Sequence, residues 1–426
     1  MKILIVSHNP MSTYNGMGKT IYTFFSAFEH TELCQFYIFP SYPDVDICQS
    51  YYRVTDKDIL KSLFSFKIPG GKVPREKIGG EAAVFEVPND EKIYRNKKNK
   101  LPFRIILRDA MWKCAHWYNS RLKRWLKEEC PDCIFLAPGG SKFIYDVALK
   151  IAKVQKIPIV TYIADEYYFV SPDKGMLGKL QLHSLQKKIR KTLIQSAHVI
   201  TISREFEDLY HAVFNCKTTT IMTGSDYPLP TNPRVNSPLR RVSYFGNIAY
   251  NRYVSLSEIG WALDEINDEQ GTSFMLEIYS AENDEQAMRI FEGIRSIRWN
   301  GFVSGAKFKE KFLSADILLH VEAFDQRSMD QVKHSVSTKI ADSLSSGIPL
   351  IAYGPESISS MKHLIRNNCA LVATSRSELK AMLETALLQD EERIRVVENA
   401  LRTAAEYHDK HKNSTKLRMI FAEKEE

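Results

Sequence analysis

Apolar residues along the chain fall into short runs set between longer stretches of helical spacing, a rhythm that predicts strands joined by crossover helices. In the first half the β-rich runs are Ile3 to Ser7, Phe36 to Phe39, Ala83 to Val87, Ile134 to Ala137, Ile157 to Ile163 and Val199 to Ile202. Between them, Lys19 to Phe28 and Ser141 to Ala152 repeat apolar residues at helical intervals, and Arg104 to Glu129 makes a longer, strongly basic helical stretch. A second series follows, with strands expected at Arg241 to Phe245, Met275 to Tyr279, Ile297 to Phe302, Ile317 to Val321 and Leu350 to Tyr353, and a helix at Leu256 to Ile266. Alternation of this kind argues for α/β architecture, two parallel sheets with helices covering their faces.

Between the two series, DYPLPTNPRVNSPL from Asp226 to Leu239 holds four prolines in 14 residues, which excludes helix and central strand and predicts an interdomain linker. The expected domains are 1–228, 229–405, and a C-terminal helix over 406–426 that packs back on the first domain. A length of 426 residues suits two or three domains, and 44% hydrophobic with 26% charged residues excludes collagen-like, coiled-coil and disordered classes. The run Met1 to Val6 is too short for a signal peptide and reads as a buried first strand. No stretch approaches the roughly 18 to 20 apolar residues of a membrane-spanning helix, so any membrane contact is expected to be peripheral.

The seven cysteines are odd in number and scattered, which suits a reducing compartment; the expected localisation is cytoplasmic, with peripheral contact at the inner face of the plasma membrane. Cys130-Pro131-Asp132-Cys133 has the spacing of half a zinc site, but no second Cys or His pair stands at a matching distance and Pro-Asp suits a turn. No metal is expected. Charge divides unevenly: residues 1–228 hold 33 Lys+Arg against 23 Asp+Glu, and the remainder 25 against 28. The first half therefore favours an anionic partner. Its basic segment from Tyr94 to Lys127 mixes aromatics with cations as interfacial helices do, which suits an anionic membrane or a lipid-pyrophosphate acceptor. Core-facing tryptophans under a solvated basic face fit the same residues, and no nucleic-acid motif accompanies the charge.

Candidate chemistry gathers in three places. The loop after the first strand runs from Ser7 to Thr20 and carries Gly16 and Gly18, which let backbone approach an anion at a helix N-terminus. A nucleotide-hydrolysing P-loop is excluded because Thr13 stands where its first glycine belongs, and no dinucleotide fingerprint follows the strand; a ligand-free flexible turn is the alternative. In the second half, Gly246 and Asn247 close a strand and lead to Arg252, glycine plus guanidinium being chemistry suited to a diphosphate. Finally, Ser337 and Thr338 can cap a helix whose first amides, with Lys339, would meet phosphate. Asp342, about one turn on, can accept from a ribose diol, and Gly347 and Pro349 stop the helix before the next strand.

The block STKIADSLSSGIPLIAYGP resembles the donor-binding segment of GT-B glycosyltransferases, close to glycosyltransferase family four and to bacterial capsule and exopolysaccharide-assembly enzymes. PDCIFLAPGG, HVITIS with SREFEDLY, TGSDYP, YFGNIAYNR, IRWNGFVS and SADILLHVEAFD extend the likeness over most of the chain. The resemblance implies two Rossmann-like domains facing across a cleft, the first binding the acceptor and the second a nucleotide-sugar. It further implies that Gly246, Asn247, Arg252 and Lys339 hold the donor diphosphate, with Arg252 and Lys339 stabilising the departing group in place of a metal ion, while the Gly16 to Gly18 loop closes over it. Family four usually carries two glutamates eight positions apart; here those positions are His334 and Asp342, so His334 either contacts the donor sugar or fills a packed site. Glu322 and Asp325 can supply a further carboxylate at this face, and Asp165 with Glu166 would line the acceptor cleft, Asp165 as base or orienter of an acceptor hydroxyl. His116 is a second possible base, read as a helix-face residue.

The expected activity is transfer of a hexosyl group from a nucleotide-sugar to a saccharide acceptor in surface polysaccharide synthesis, the acceptor being lipid-linked and retention of stereochemistry favoured over inversion. Two rivals remain: a sugar-nucleotide epimerase on the same scaffold, and a catalytically silent subunit that partners an active transferase.

Overall fold

The computed structural model describes all residues except 14–15, 66, 80–101, 171–174, 236–240, 283 and 424–426. The chain divides into unit 1, Met1–Ile221 with His411–Glu426, and unit 2, Met222–Lys410.

Among the described residues, the sheet of unit 1 has eight strands: β1 (Ile3–Ser7), β2 (Leu33–Tyr37), β3 (Ser50–Arg53), β4 (Gly71–Lys72), β5 (Cys133–Ala137), β6 (Ile159–Ile163), β7 (His198–Thr201) and β8 (Thr218–Thr220). Their order is β4-β3-β2-β1-β5-β6-β7-β8. Among the described residues only the short edge pairing of β3 with β4 is antiparallel. Helices α1 (Gly16–Phe25), α2 (Asp56–Ser65), α3 (Pro102–Cys114), α4 (Ser120–Glu129), α5 (Lys142–Gln155), α6 (Met176–Ile194) and α7 (Arg204–Phe214) follow the strands. The central strands β1, β5 and β6 are buried along their whole length and mostly apolar, as a sheet covered on both faces requires. The expected strand at Ala83 to Val87 lies outside the described residues, as do Lys97, Lys98 and Lys100 of the basic segment.

The basic helical stretch from Arg104 to Glu129 is two helices with a break between them. Asn119 caps α4 by accepting from the Arg121 and Leu122 amides at 2.9 and 3.1 Å, and its own amide donates to Pro69 O at 3.0 Å, so the first helix stops at Cys114. His116 falls in the break, exposed, and not on a helix face. Trp112 and Trp125 are buried, Trp112 stacking on Phe143 at 4.3 Å and donating to Asp56 at 2.7 Å. Cys130 closes α4 in a left-handed conformation with φ 45°, and Cys133 is buried in β5, which fits the turn reading of that pair.

Unit 2 holds six parallel strands: β9 (Arg241–Phe245), β10 (Met275–Tyr279), β11 (Ile297–Gly301), β12 (Ile317–Val321), β13 (Leu350–Tyr353) and β14 (Leu371–Ala373), in the order β11-β10-β9-β12-β13-β14. Its helices are α8 (Arg252–Gln270), α9 (Glu285–Glu292), α10 (Gly305–Leu313), α11 (Gln326–Val332), α12 (Thr338–Ser345), α13 (Ser359–Arg366), α14 (Arg376–Leu388) and α15 (Asp390–Tyr407). Leu256, Ile259 and Leu263 of α8 and Leu379 and Leu383 of α14 bury one sheet face.

Contrary to the linker reading, the described part of the proline-rich stretch, 226–235, belongs to unit 2: the Arg234 amide donates to Gly347 O at 2.7 Å. Gly347, at φ 74°, leaves no room for a Cβ, which would come within 2.6 Å of Pro230. The chain passes between units at Ile221–Met222 instead of 228/229, because Thr223 to Ser225 are already bound to the end of α15, with Thr223 O accepting from His408 and Ser225 N donating to His408 O. It returns at Lys410–His411 instead of 405/406. The last helix, α16 (Lys410–Ala422), packs on unit 1 from His411 onward: Ser414 donates to Phe24 O at 2.8 Å, Arg418 pairs with Glu32 at 2.8 Å, and Phe421 lies 6.4 Å from both Phe25 and Phe135.

Candidate active site

Each sheet reverses its direction of growth beside its first strand, between β1 and β5 in unit 1 and between β9 and β12 in unit 2. Loops leaving the carboxyl ends of those strands form the crevice where doubly wound sheets bind ligands.

In unit 2 the two loops are Gly246–Asn251 and Glu322–Asp325, and Arg252 joins them. Its Nε and Nη2 donate to Glu322 Oε2 at 3.0 and 2.8 Å, and Nη1 donates to Asn247 Oδ1 at 2.7 Å. Both partners are taken from water, the side chains being 13% and 4% exposed for Arg252 and Glu322. Burial pushes the Glu322 carboxyl up, and the Arg252 charge and its hydrogen bonds work against that shift. These three bonds leave two of the guanidinium's five N–H donors for a ligand. Asn251, at φ 55°, donates to Asp325 Oδ2 at 2.9 Å, and Ser255 donates to Glu322 O at 2.9 Å, which fixes the loop that delivers Arg252. Asp325 also caps α11; burial works against its ionised form, but the bonds from Asn251 and Ser328 keep its carboxyl below the usual range. Both loop carboxylates are present at this face, engaged in holding the arginine loop. Gly246 has a packing reason: a Cβ there would come within 2.5 Å of the Tyr244 hydroxyl, which donates to Asn247 O at 2.6 Å.

Lys339 sits exposed on the first turn of α12. Its charge and that of Arg252 both bear on His320, so the two cations converge on one region of unit 2. Ser337 is at the N-cap in extended conformation, φ −60° and ψ 127°, with no capping bond from its hydroxyl, and Thr338 begins the helix. A helix N-terminus that its N-cap hydroxyl does not cap, with a lysine on it, is suited to an anion. Asp342 is buried on α12, accepting from Ser225 at 3.1 Å, so one of its oxygens is committed to the segment that enters unit 2. His334 is half-buried just ahead of α12.

In unit 1 the β1 loop is tied by neutral groups and one carboxylate. Gln35 donates to Ser7 Oγ at 2.8 Å and Asn9 O at 3.1 Å, and Asp44 accepts from Ser12 at 2.7 Å and the Thr13 amide at 2.9 Å. Gly16 opens α1 at φ 28°, and a Cβ on Gly18 would strike Pro10 O at 2.5 Å. At the end of β6 the two acidic residues separate in role. Glu166 is buried and Oε1 accepts from the Tyr168 and Phe169 amides at 2.8 and 2.7 Å, while burial raises its pKa against those bonds. Asp165 is exposed and accepts from the Tyr167 hydroxyl at 3.2 Å.

Sequence reasoning did not single out His320, whose position before Glu322 on β12 reads as one polar residue in an apolar run. Nor can one sequence pair Arg252 with Glu322.

Residues 260–418, less than half of the chain, match the family model described as glycosyl transferase-like. No curated protein matches the chain. Among solved structures, Anabaena HepE in complex with UDP and glucose is similar at 10% identity and a TM-score of 0.63, over 99% of both chains. WaaG, a glycosyltransferase involved in lipopolysaccharide biosynthesis, is similar at 14% identity and a TM-score of 0.56 over 100% of both chains. Sucrose-phosphate synthase from Thermosynechococcus elongatus gives 12% identity and a TM-score of 0.59, over 99% of this chain and 98% of that one. The chain thus has the GT-B fold and carries, across residues 260–418, a glycosyl transferase-like domain.

Proposed function

We propose that the protein is a nucleotide-sugar-dependent hexosyltransferase that uses a UDP-sugar and a saccharide acceptor. The observation that carries this reading is the switch point of unit 2, where Arg252, fixed by buried Glu322, and Lys339 on a helix N-terminus that its N-cap hydroxyl does not cap bear on one region. Charge builds on the diphosphate as the glycosidic bond breaks. Cations already in place stabilise that charge without reorganising, which is electrostatic catalysis of leaving-group departure. A uridine base is supported by the UDP in the HepE complexes, and no metal has a role in this scheme.

Gly246, Asn247, Ser337 and Thr338 would complete the diphosphate cradle, Asp342 would meet the ribose, and His334 would lie toward the sugar. Gly16 and Gly18 of unit 1 would meet the donor, and Asp165, exposed where Glu166 holds the turn, would orient the acceptor hydroxyl. Retention of stereochemistry and a lipid-linked acceptor follow the resemblance to family four and polysaccharide-assembly enzymes. Peripheral contact with an anionic membrane is supported by the basic balance of residues 1–228. No helix among the described residues is long and apolar enough to cross a membrane.

The test is a thermal-shift panel of UDP, GDP, CDP, ADP and dTDP with and without chelator, followed by product analysis with the matching nucleotide-sugars. A chelator-insensitive shift with UDP and sugar transfer to an added saccharide are expected. Conversion of the donor sugar without acceptor would identify an epimerase instead, and binding without turnover unless a partner is added would identify a silent subunit. Neutralising Lys97, Lys98 and Lys100 together should lower binding to anionic liposomes, and an unchanged, salt-insensitive partition would remove the membrane reading.

A further inference from the structure

Behind Arg252 lies a histidine that the proposed chemistry does not use. His320 and Glu322 are alternate residues at the end of β12, so their side chains leave the sheet on one face. His320 Nε2 stands 3.6 Å from Glu322 Oε1 and 3.1 Å from Ser360 Oγ, at the start of α13. Its side chain is 11% exposed. The charged groups facing it are Arg252 from α8, Glu322 from its own strand end and Lys339 from α12; α13 contributes the Ser360 hydroxyl. Burial, with Arg252 and Lys339 adding to it, holds the imidazole pKa down to about 3, so the ring is neutral beside two cations and one carboxylate.

A nucleotide-sugar would change that balance. Its diphosphate brings two negative charges to the same two cations and offsets their effect on the ring. The ring stays buried, but it is then left with Glu322 as its nearest charged neighbour and with a second source of negative potential beyond Arg252, both of which favour its protonated form. We propose that His320 is a positioning residue coupled to donor binding: it takes up one proton from solvent when a nucleotide-sugar diphosphate occupies Arg252 and Lys339, the new imidazolium N–H lying between Glu322 Oε1 and Ser360 Oγ. The carboxylate that aims Arg252 then keeps a counter-ion on its other oxygen while the guanidinium is engaged by phosphate. The inference rests on the donor-site reading above and adds a linked proton to it.

The test is titration calorimetry of the full chain with UDP-glucose, whose diphosphate, unlike that of free UDP, has no protonation step near neutrality. Runs at pH 6.0 and 8.0 in two buffers of different ionisation enthalpy give the number of protons taken up. Wild type should take up a measurable fraction of a proton per site at pH 6.0 and none at pH 8.0, and its affinity should rise on acidification by less than about tenfold per pH unit. His320→Asn and His320→Gln should bind UDP-glucose at pH 8.0 within about threefold of wild type and take up no proton at pH 6.0. Wild-type binding without proton uptake at pH 6.0 overturns the inference whether or not the variants fold, and so does uptake that persists in folded variants. If wild type binds neither UDP-glucose nor the ADP-, GDP- or dTDP-hexoses, the donor-site reading itself is what fails.

Discussion

At the switch point of unit 1 the loop after β1 is held by Gln35 and Asp44, amide and carboxylate, whereas the corresponding loop of unit 2 delivers a guanidinium anchored on a buried glutamate. The same topology therefore presents opposite chemistry. The contrast runs against the charge of the two halves, since residues 1–228 carry the cationic excess. Net charge describes what a surface attracts, and a site is decided by the few groups whose orientation is fixed by burial.

The sharpest way to break this comparison is to remove the anchored cation. Arg252→Ala should lower donor turnover by about 10² to 10³-fold, as loss of a transition-state donor does. Because it leaves Glu322 buried without its partner, it should also cost about 3–5 kcal/mol in urea unfolding. Arg252→Met with Glu322→Leu should recover most of that stability and none of the turnover; turnover in the double variant would detach the pair from chemistry.

Acid is the next largest perturbation, and it acts on both units. His8 in unit 1 and His408 in unit 2 are neutral, their pKa pushed down to about 4, by burial and then Arg108 at His8 and by burial at His408. The unfolded chain binds protons at these rings from about pH 6.5 downward, more than the folded chain does. Stability is thus full above about pH 6.5 and falls toward pH 4, by about 1.4 kcal/mol per pH unit for each ring. Denaturant titrations at pH 7 and 5 check this, and a flat profile would contradict the buried, neutral assignment.

Smaller effects separate the two loops. Gly18→Ala should cost about 2–3 kcal/mol in thermal unfolding, since the new Cβ meets the Pro10 carbonyl, which is main chain. Gly246→Ala should cost less, about 1 kcal/mol, because it meets the tip of the Tyr244 ring. Equal costs would mean that the unit 2 loop is no more yielding than its counterpart.

Much of this architecture is legible in the sequence where strands are long, apolar and fully covered. The bounds of β1, β9, β10, β12 and β13 coincide with the apolar runs that predict them. The missed strands are short or peripheral: β8 is three half-buried threonines, β14 has three residues, and β3 ends in Arg53. The break between α3 and α4 escaped because Asn119 must find both the α4 amides and Pro69 before it reads as a cap. The linker misled because prolines exclude regular structure without saying what they pack against, and Pro230 meets the Gly347 turn. The cations Arg252 and Lys339 stand out by type and spacing. Their support does not: Glu322 is 70 residues from Arg252, and Ser225 is 117 from Asp342.

The central claim is that the unit 2 switch point binds a donor diphosphate through Arg252 and Lys339. Lys339 is exposed, so Lys339→Ala should leave the unfolding free energy within about 0.5 kcal/mol. Calorimetric titration of wild type and Lys339→Ala with UDP-glucose tests the claim most directly. The account predicts binding at least about tenfold weaker in the variant at an unchanged melting temperature, a loss of about 1.4 kcal/mol. Equal affinity in the two proteins would contradict it and remove Lys339 from the site.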